Sequence, residues 1–172
     1  MKQIIIDKVP RLIKLKKKLE EKLNIKITNN GKEFSIDGKA EDEFIAEKAL
    51  IAIDMGFALS TALLLKDEDY AFEKLKIKNF TKRKELTSIK ARIIGKKGKT
   101  LQTLSQISEC FFEIKDNEIG IIGRLENIKN AQDAIISIIR GSKVGNVYSR
   151  LEKNRPMPIA DLGLKEKDVK EE

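Results

Sequence analysis

Residues 91–100 read Ala-Arg-Ile-Ile-Gly-Lys-Lys-Gly-Lys-Thr, an apolar, helix-like stretch interrupted by two glycines that bracket two lysines. Gly95 and Gly98 carry no side chain, so both accept positive φ and let another backbone come close. A second helical pattern begins directly after them, so its unpaired first-turn N–H groups point at whatever occupies the loop. Lys96, Lys97 and Lys99 add positive charge at the same place. Together these features make a clamp for a phosphodiester backbone. The run Gly98-Lys99-Thr100 also resembles the tail of a nucleotide-binding P-loop. That motif requires a glycine five residues before Gly98, and Ile93 stands there.

The flanking sequence gives the loop a setting. Residues 75–80 alternate apolar and basic side chains, as a strand does. Residues 88–94 form a short helix, and Leu101, Leu104 and Ile107 mark one face of the next. Strands 110–115 and 118–122 meet at Asp116-Asn117, a turn-forming pair. Residues 125–140 carry an apolar stripe from Ile128 to Ile139 at helical spacing, with Gly141 placed to cap it. The order is strand–helix–helix–strand–strand–helix.

This pattern has a counterpart upstream at a constant offset of 85: Ile36 with Ile121, Gly38 with Gly123, Ala46 with Ala131, Ala49 with Ala134, Ile51 with Ile136, Ile53 with Ile138, and Gly56 with Gly141. Seven ungapped matches indicate duplication. The first copy reads as a strand over 3–9 ended by Pro10, and a helix with Leu12, Leu15, Leu19 and Leu23 on one face. A hairpin over 25–28 and 33–37 around Asn30-Gly31 and a long helix over 41–55 follow. Residues 57–65 continue as a short apolar helix joining the halves. No glycine precedes Gly31, and the clamp position reads Leu12-Ile13-Lys14-Leu15-Lys16-Lys17-Lys18. Side chains there hold a nucleic-acid backbone away, so the first copy is structural or touches RNA only through lysine charge.

Composition narrows the function further. The 172 residues are 41% hydrophobic, enough for a packed core, and no apolar run approaches a bilayer-spanning length. A single cysteine, Cys110, excludes an internal disulfide, and the cytoplasm is the default address. The absence of histidine removes the commonest general base and metal ligand. The net charge of +8 lies entirely in residues 76–172, and residues 76–100 hold ten basic side chains against one acid, Glu85. Such concentration points to a polyanionic partner. Aromatic residues are 5% and Trp is absent, so broad base-stacking platforms are disfavoured. Asp67, Glu68 and Asp69 form a dense acidic cluster. Consecutive residues diverge on any regular element, so a solvated linker suits them better than a magnesium site. No cofactor, metal or catalytic group is expected.

The glycine loop Ile94-Gly95-Lys96-Lys97-Gly98-Lys99-Thr100, then Ile121-Ile122-Gly123, Ile139-Arg140-Gly141-Ser142 and Val147-Tyr148, resemble the archaeal KH-domain RNA-processing proteins. These are counterparts of the eukaryotic partner-of-Nob factor of small-subunit ribosome assembly. The resemblance implies an α+β fold of two tandem type I KH modules, each β-α-α-β-β-α. It divides the chain into a degenerate module 1–66, a linker 67–74, a module 75–141, a helix 142–153 and a flexible tail 154–172. It also implies single-stranded RNA near the 3′ end of small-subunit ribosomal RNA as ligand. The implied partners are the endonuclease that matures that end and the alpha subunit of translation initiation factor two. Relatives carry a glycine loop in the first module too; here it is absent and the segment is shorter.

The clamp carries over as Gly95, Lys96, Lys97 and Gly98. Around it, Ile93 and Ile94 precede the loop, Lys99, Thr100 and Leu101 start the next helix, and Ile114 and Lys115 lie on the strand expected to form the opposite wall. Ile93, Ile94, Leu101 and Ile114 suit core packing and groove lining equally. Arg92, charged and adjacent to the clamp, is expected to point at RNA. Tyr148 is either a core cap or a stacking residue. A basic protein-interaction scaffold, or a general RNA-binding protein without a ribosomal role, would carry many of the same features. Salt dependence separates RNA from protein partners.

Overall fold

The computed structural model describes residues 1–155, an α+β chain built on two three-stranded antiparallel sheets. The N-terminal unit runs β1 (Lys2–Ile5), α1 (Val9–Leu23), β2 (Lys26–Asn30), β3 (Glu33–Asp37) and α2 (Ala40–Met55). Its strand order is β1-β3-β2. Pro10 lies in the first turn of α1, where a missing N–H is no loss because those donors lack helical partners anyway. Pro10 therefore opens the helix instead of closing a strand over 3–9. Leu12, Leu19 and Leu23 bury one face of α1. This unit has one helix where the expected module has two. With no glycine before Gly31, nothing within α1 favours the positive φ that a break requires, and the leucine stripe continues unbroken. The hairpin turn is Gly31-Lys32, since Asn30 pairs with Glu33.

After Gly56 the chain turns into α3 (Leu59–Leu63), a 3₁₀ turn Leu64–Lys66, and then β4 (Tyr70–Lys76). β4 lies earlier than the strand expected at 75–80, so most of the expected 67–74 linker belongs to the sheet. It pairs along its whole length with β6, from Tyr70 opposite Arg124 to Lys76 opposite Glu118. At the start of β4 both faces are covered, so Ala71 and Phe72 are apolar side by side, while Glu73, Lys74 and Lys76 are exposed, and the period-two signal vanishes. The alternating Leu75-Lys76-Ile77-Lys78 run instead enters a 3₁₀ turn, Ile77–Phe80.

The C-terminal unit continues with α4 (Thr87–Ile94), a 3₁₀ turn Lys96–Gly98, α5 (Lys99–Ser108), β5 (Phe111–Lys115), β6 (Glu118–Arg124), α6 (Leu125–Ile139) and α7 (Val144–Lys153). Its strand order, β4-β6-β5, repeats that of the first sheet, with the last strand in the centre. Ile36 and Ile121, matched in the internal repeat, occupy the central strands and are fully buried. α7 docks through Val147 and Leu151, and Tyr148 packs partly buried against the same core. Arg155 is the last described residue of the expected 154–172 tail, and the rest lies outside the described residues.

The two faces of the second sheet hold the molecule together. Ala71, Leu75, Phe112, Ile114, Ile119 and Ile121 join α4, α5 and α6 in one core. Tyr70, Phe72 and Ile122 face the other way and join the N-terminal core beside Met55 and Phe57. The Phe57 and Phe72 rings meet edge to face at 6.2 Å. A Cβ on Gly120 would stand 2.8 Å from Phe57 and 2.9 Å from the Met55 sulfur, so close packing selects glycine there. α2 touches β1 and β3 of its own sheet and β5 of the other. It is accordingly apolar on several sides, with Ala46, Ala49, Ala52, Leu50 and Ile53 all buried.

Candidate nucleic-acid interface

The glycine loop breaks one helical path into two. α4 ends at Ile94, and Gly95 adopts φ 74°, ψ 177°, a region essentially closed to residues with a Cβ. A Cβ on Gly95 would also run into the Thr100 side chain. Lys97 (φ 54°, ψ 30°) and Gly98 (φ 75°, ψ 8°) are both left-handed. The Gly98 N–H donates to the Gly95 carbonyl at 3.2 Å and closes the turn. α5 then starts with Gly98 as its cap, and no side chain satisfies its first-turn N–H groups. A Cβ on Gly98 would meet nothing within 4 Å. Gly95 is thus demanded by conformation and by internal packing. Gly98 is demanded by conformation, and its outer face is clear for a ligand to approach.

Lys96, Lys97 and Lys99 are exposed around this turn. Among the described residues none of the three forms a salt bridge. The uncapped helix terminus and three unneutralised cations act on the same few ångströms, which favours a phosphate there. Lys78, Lys82, Arg83 and Lys84 are exposed as well and extend the basic surface.

Beside the loop lies a cleft of about 290 Å³. One wall is α5, with Leu101, Gln102 and Ser105, and Gly98 stands at its end. The opposite wall comes from the N-terminal unit: Phe57, Ala58 and Thr61 at the corner between α2 and α3. Phe111, Phe112 and Glu113 of β5 lie between them. β5 is an edge strand, so its outer N–H and C=O groups are free to pair. A slot with free backbone groups beside a glycine-rich, basic turn has the shape and pairing groups to admit an unstacked base.

Several residues expected at the interface sit elsewhere. Ile93 is fully buried in the C-terminal core, whereas Ile94 is 39% exposed next to Gly95. Leu101 lines the cleft, and Thr100 packs under Gly95. Ile114 turns into the core. Arg92 does not point outward; its guanidinium donates to the carbonyls of Ile138 at 3.3 Å and Ser142 at 2.7 Å. A cation at the C-terminus of α6 answers carbonyls left over by the helix. Lys115 is likewise engaged. Its ammonium reaches Asp54 at 2.5 Å and Asp7 at 2.7 Å and ties β5 to the N-terminal unit. Asp54 also accepts the backbone N–H groups of Asp7 and Lys8, at 3.0 and 2.8 Å.

The cleft residues absent from the expected set are Phe111, Phe112, Glu113, Gln102, Ser105 and the Phe57–Thr61 corner. Strand alternation points to two of them. Phe111, Glu113 and Lys115 share one face of β5, so Ile114 and Lys115 face opposite ways. Nothing local signals the corner, which reaches the site only through packing between the units.

A family model for the second PNO1 KH domain, a eukaryotic type KH-domain (KH-domain type I), matches residues 71–156. The pre-rRNA-processing protein pno1 of Emericella nidulans is 32% identical over 143 residues, which cover 79% of this chain and 55% of that protein. A KH domain-containing protein of Methanocaldococcus jannaschii is 27% identical over 153 residues, 82% of this chain and 65% of the relative. The chain therefore spans between half and two thirds of the length of these curated relatives. The crystal structure of Dim2p from Pyrococcus horikoshii superposes with a TM-score of 0.81 at 28% identity, covering 88% of this chain and 98% of that one. A chain in the a/eIF2alpha–aDim2p–rRNA complex of the same organism gives 0.80 at 28% identity, covering 88% and 92%.

Proposed function

This chain belongs to the PNO1/Dim2 family of KH-domain proteins, and on that premise we propose that it is a non-catalytic adaptor that grips single-stranded RNA during small-subunit ribosome assembly. The observation that carries this reading is the turn at Gly95–Gly98. Two left-handed residues open an uncapped helix terminus, with three exposed lysines around it that form no salt bridge among the described residues. Lys96, Lys97 and Lys99 bind phosphates there, Gly98 lets the backbone approach, and Ile94 and Leu101 flank the bases. Arg92, Ile93, Thr100, Ile114 and Lys115 hold this surface in place from behind.

In this reading the chain is two tandem KH-type modules. The N-terminal one, residues 1–66, is degenerate: it keeps the strand order of the C-terminal sheet but lacks the second helix and its loop. The C-terminal one runs from Tyr70 through α6, and α7 packs on it. The lysines of α1 contribute only screened charge. The site of action is the cytoplasm, and the ligand is the 3′ region of small-subunit ribosomal RNA. The alpha subunit of initiation factor two and the endonuclease that matures this end are its partners. Support comes from the pre-rRNA-processing relative and from the Pyrococcus complex of a/eIF2alpha, aDim2p and rRNA. A clamp of about four nucleotides reads too little sequence to find one site alone, so an accessible RNA end and protein contacts complete the choice.

The test is binding to an oligonucleotide of that 3′ terminus against a scrambled one, with sedimentation of the protein alongside immature small subunits. Replacing Lys96 and Lys97 by Asp should abolish tight binding while leaving the fold intact. Equal affinity for both oligonucleotides and no small-subunit association would remove the ribosomal assignment. Undiminished binding by the double variant would remove the clamp.

A further inference from the structure

The cleft beside the clamp contains a group that does not suit a general phosphate site. Every residue that lines it is neutral except Glu113. A chain of net charge +8 has placed its only cleft charge as an acid, next to the loop that binds anions. The Glu113 carboxylate makes no hydrogen bond and no salt bridge among the described residues. Its carboxylate lies near Gly56, where a Cβ would be 3.1 Å from Oε2. The nearest cations are already placed or do not reach it. Arg11 donates to the carbonyls of Gly56 and Phe57, at 3.2 and 2.8 Å, and the Lys8 ammonium stands close without pairing. Burial pushes the Glu113 carboxyl above its ordinary range, against the pull of Lys8 and Arg11.

Such a group weakens binding of any polyanion unless the ligand donates hydrogen bonds to it. Nucleobases differ in what they donate. Guanine presents two adjacent donors, N1–H and the N2 amino group, which match the two oxygens of one carboxylate. Cytosine and adenine set a single amino group beside a ring-nitrogen acceptor, and uracil sets one N–H between two carbonyls. Both oxygens of a carboxylate are satisfied at once only by guanine.

We propose that Glu113 is the specificity-determining residue of this cleft, accepting N1–H and N2–H of a single-stranded guanine whose phosphate sits on the Lys96–Lys97 turn. Leu101 and Phe111 hold the base plane, and Phe57 and Thr61 of the N-terminal unit close the slot from the far side. The degenerate module thereby takes part in RNA selection without a clamp of its own. This inference rests on the reading of the cleft as an RNA site.

The experiment measures affinity for U₅, UUGUU, UUAUU and UUCUU by fluorescence anisotropy, with the intact chain and with E113Q. The parent should prefer UUGUU over U₅ by about tenfold, the size of one good bidentate pair. E113Q should reduce that ratio to within about twofold and bind U₅ as well or better, because a like charge is gone. Replacing the guanosine by inosine, which lacks the N2 amino group, should cost the parent several-fold and E113Q nothing; this arm needs no change to the protein. A carboxylate that merely balances Lys8 and Arg11 would alter stability and leave the base order untouched. That result, or equal binding of all four oligonucleotides by the parent, overturns the proposal. Failure of the parent to bind any of them at low salt would overturn the RNA-binding reading itself, and the proposal with it.

Discussion

The clamp makes a quantitative demand on salt dependence. Lys96 and Lys97 are exposed and form no salt bridge among the described residues, so replacing both with Ala should change stability by less than about 0.5 kcal/mol. Each lysine that neutralises a phosphate releases condensed counterions, and for single strands the logarithm of affinity falls by about 0.7 per contact for each decade of salt. Three lysines, Lys96, Lys97 and Lys99, surround the turn. The parent should therefore lose about a hundredfold in affinity over a tenfold rise in salt, and the double variant only about fivefold. The two binding curves converge at high salt, where contacts to bases remain. Fluorescence anisotropy of a ten-nucleotide RNA over a series of salt concentrations measures both slopes. Equal slopes would mean that Lys96 and Lys97 touch no phosphate, and the phosphate path would have to run along Lys78–Lys84 instead.

The two loop glycines should separate in their effects. Gly95→Ala forces a glycine-only conformation and a collision with Thr100, which should cost about 2–4 kcal/mol of stability. Gly98→Ala has open space and should cost about 1 kcal/mol; equal losses in urea unfolding would contradict this division. At the seam between the units, Gly120→Ala drives a methyl into Phe57 and Met55 and should destabilise by about 1–3 kcal/mol. A neutral result there in urea unfolding would mean that the seam yields to an added methyl and is not closely packed. Lys115, then Lys32, hold the Asp7 carboxyl below its ordinary value. A lowered carboxyl stabilises the fold above the unfolded value and loses that contribution as pH falls through the folded one. Thermal unfolding of Asp7→Asn should therefore show a shallower loss of stability on acidification than the parent, and identical acid limbs would exclude the pair as a contributor.

Local chemistry accounts for how much of this was legible in the sequence. The glycine pair, the leucine stripe of α1, the apolar face of α6 and the turn at Asp116-Asn117 each depend on neighbours within a few residues, and each lies where the sequence places it. The strand at 70–76 was not legible. Alternation marks a strand with one wet face, whereas the start of β4 packs Ala71 into one core and Phe72 into the other before Glu73, Lys74 and Lys76 turn exposed. Arg92 and Lys115 depart from their expected RNA-facing positions for a related reason. A cation beside a phosphate clamp has the same sequence signature whether it faces RNA or a helix terminus and two carboxylates from elsewhere in the chain.

By itself the sequence determined the α+β order, the broken helix at Gly95–Gly98, the concentration of lysine around it and the absence of a clamp in the first copy. These follow from side-chain size, φ preference and charge, which act over one or two turns. Tertiary structure decided which cations remain free, which face of β5 meets the cleft, and that Phe57, Ala58 and Thr61 complete its wall. Those properties depend on how α2 packs across the second sheet, over Gly120 and against Phe72. Such complementarity belongs to the assembled core, because its partners come from separate elements of the chain: Phe57 meets Phe72 of β4 and stands over Gly120 of β6.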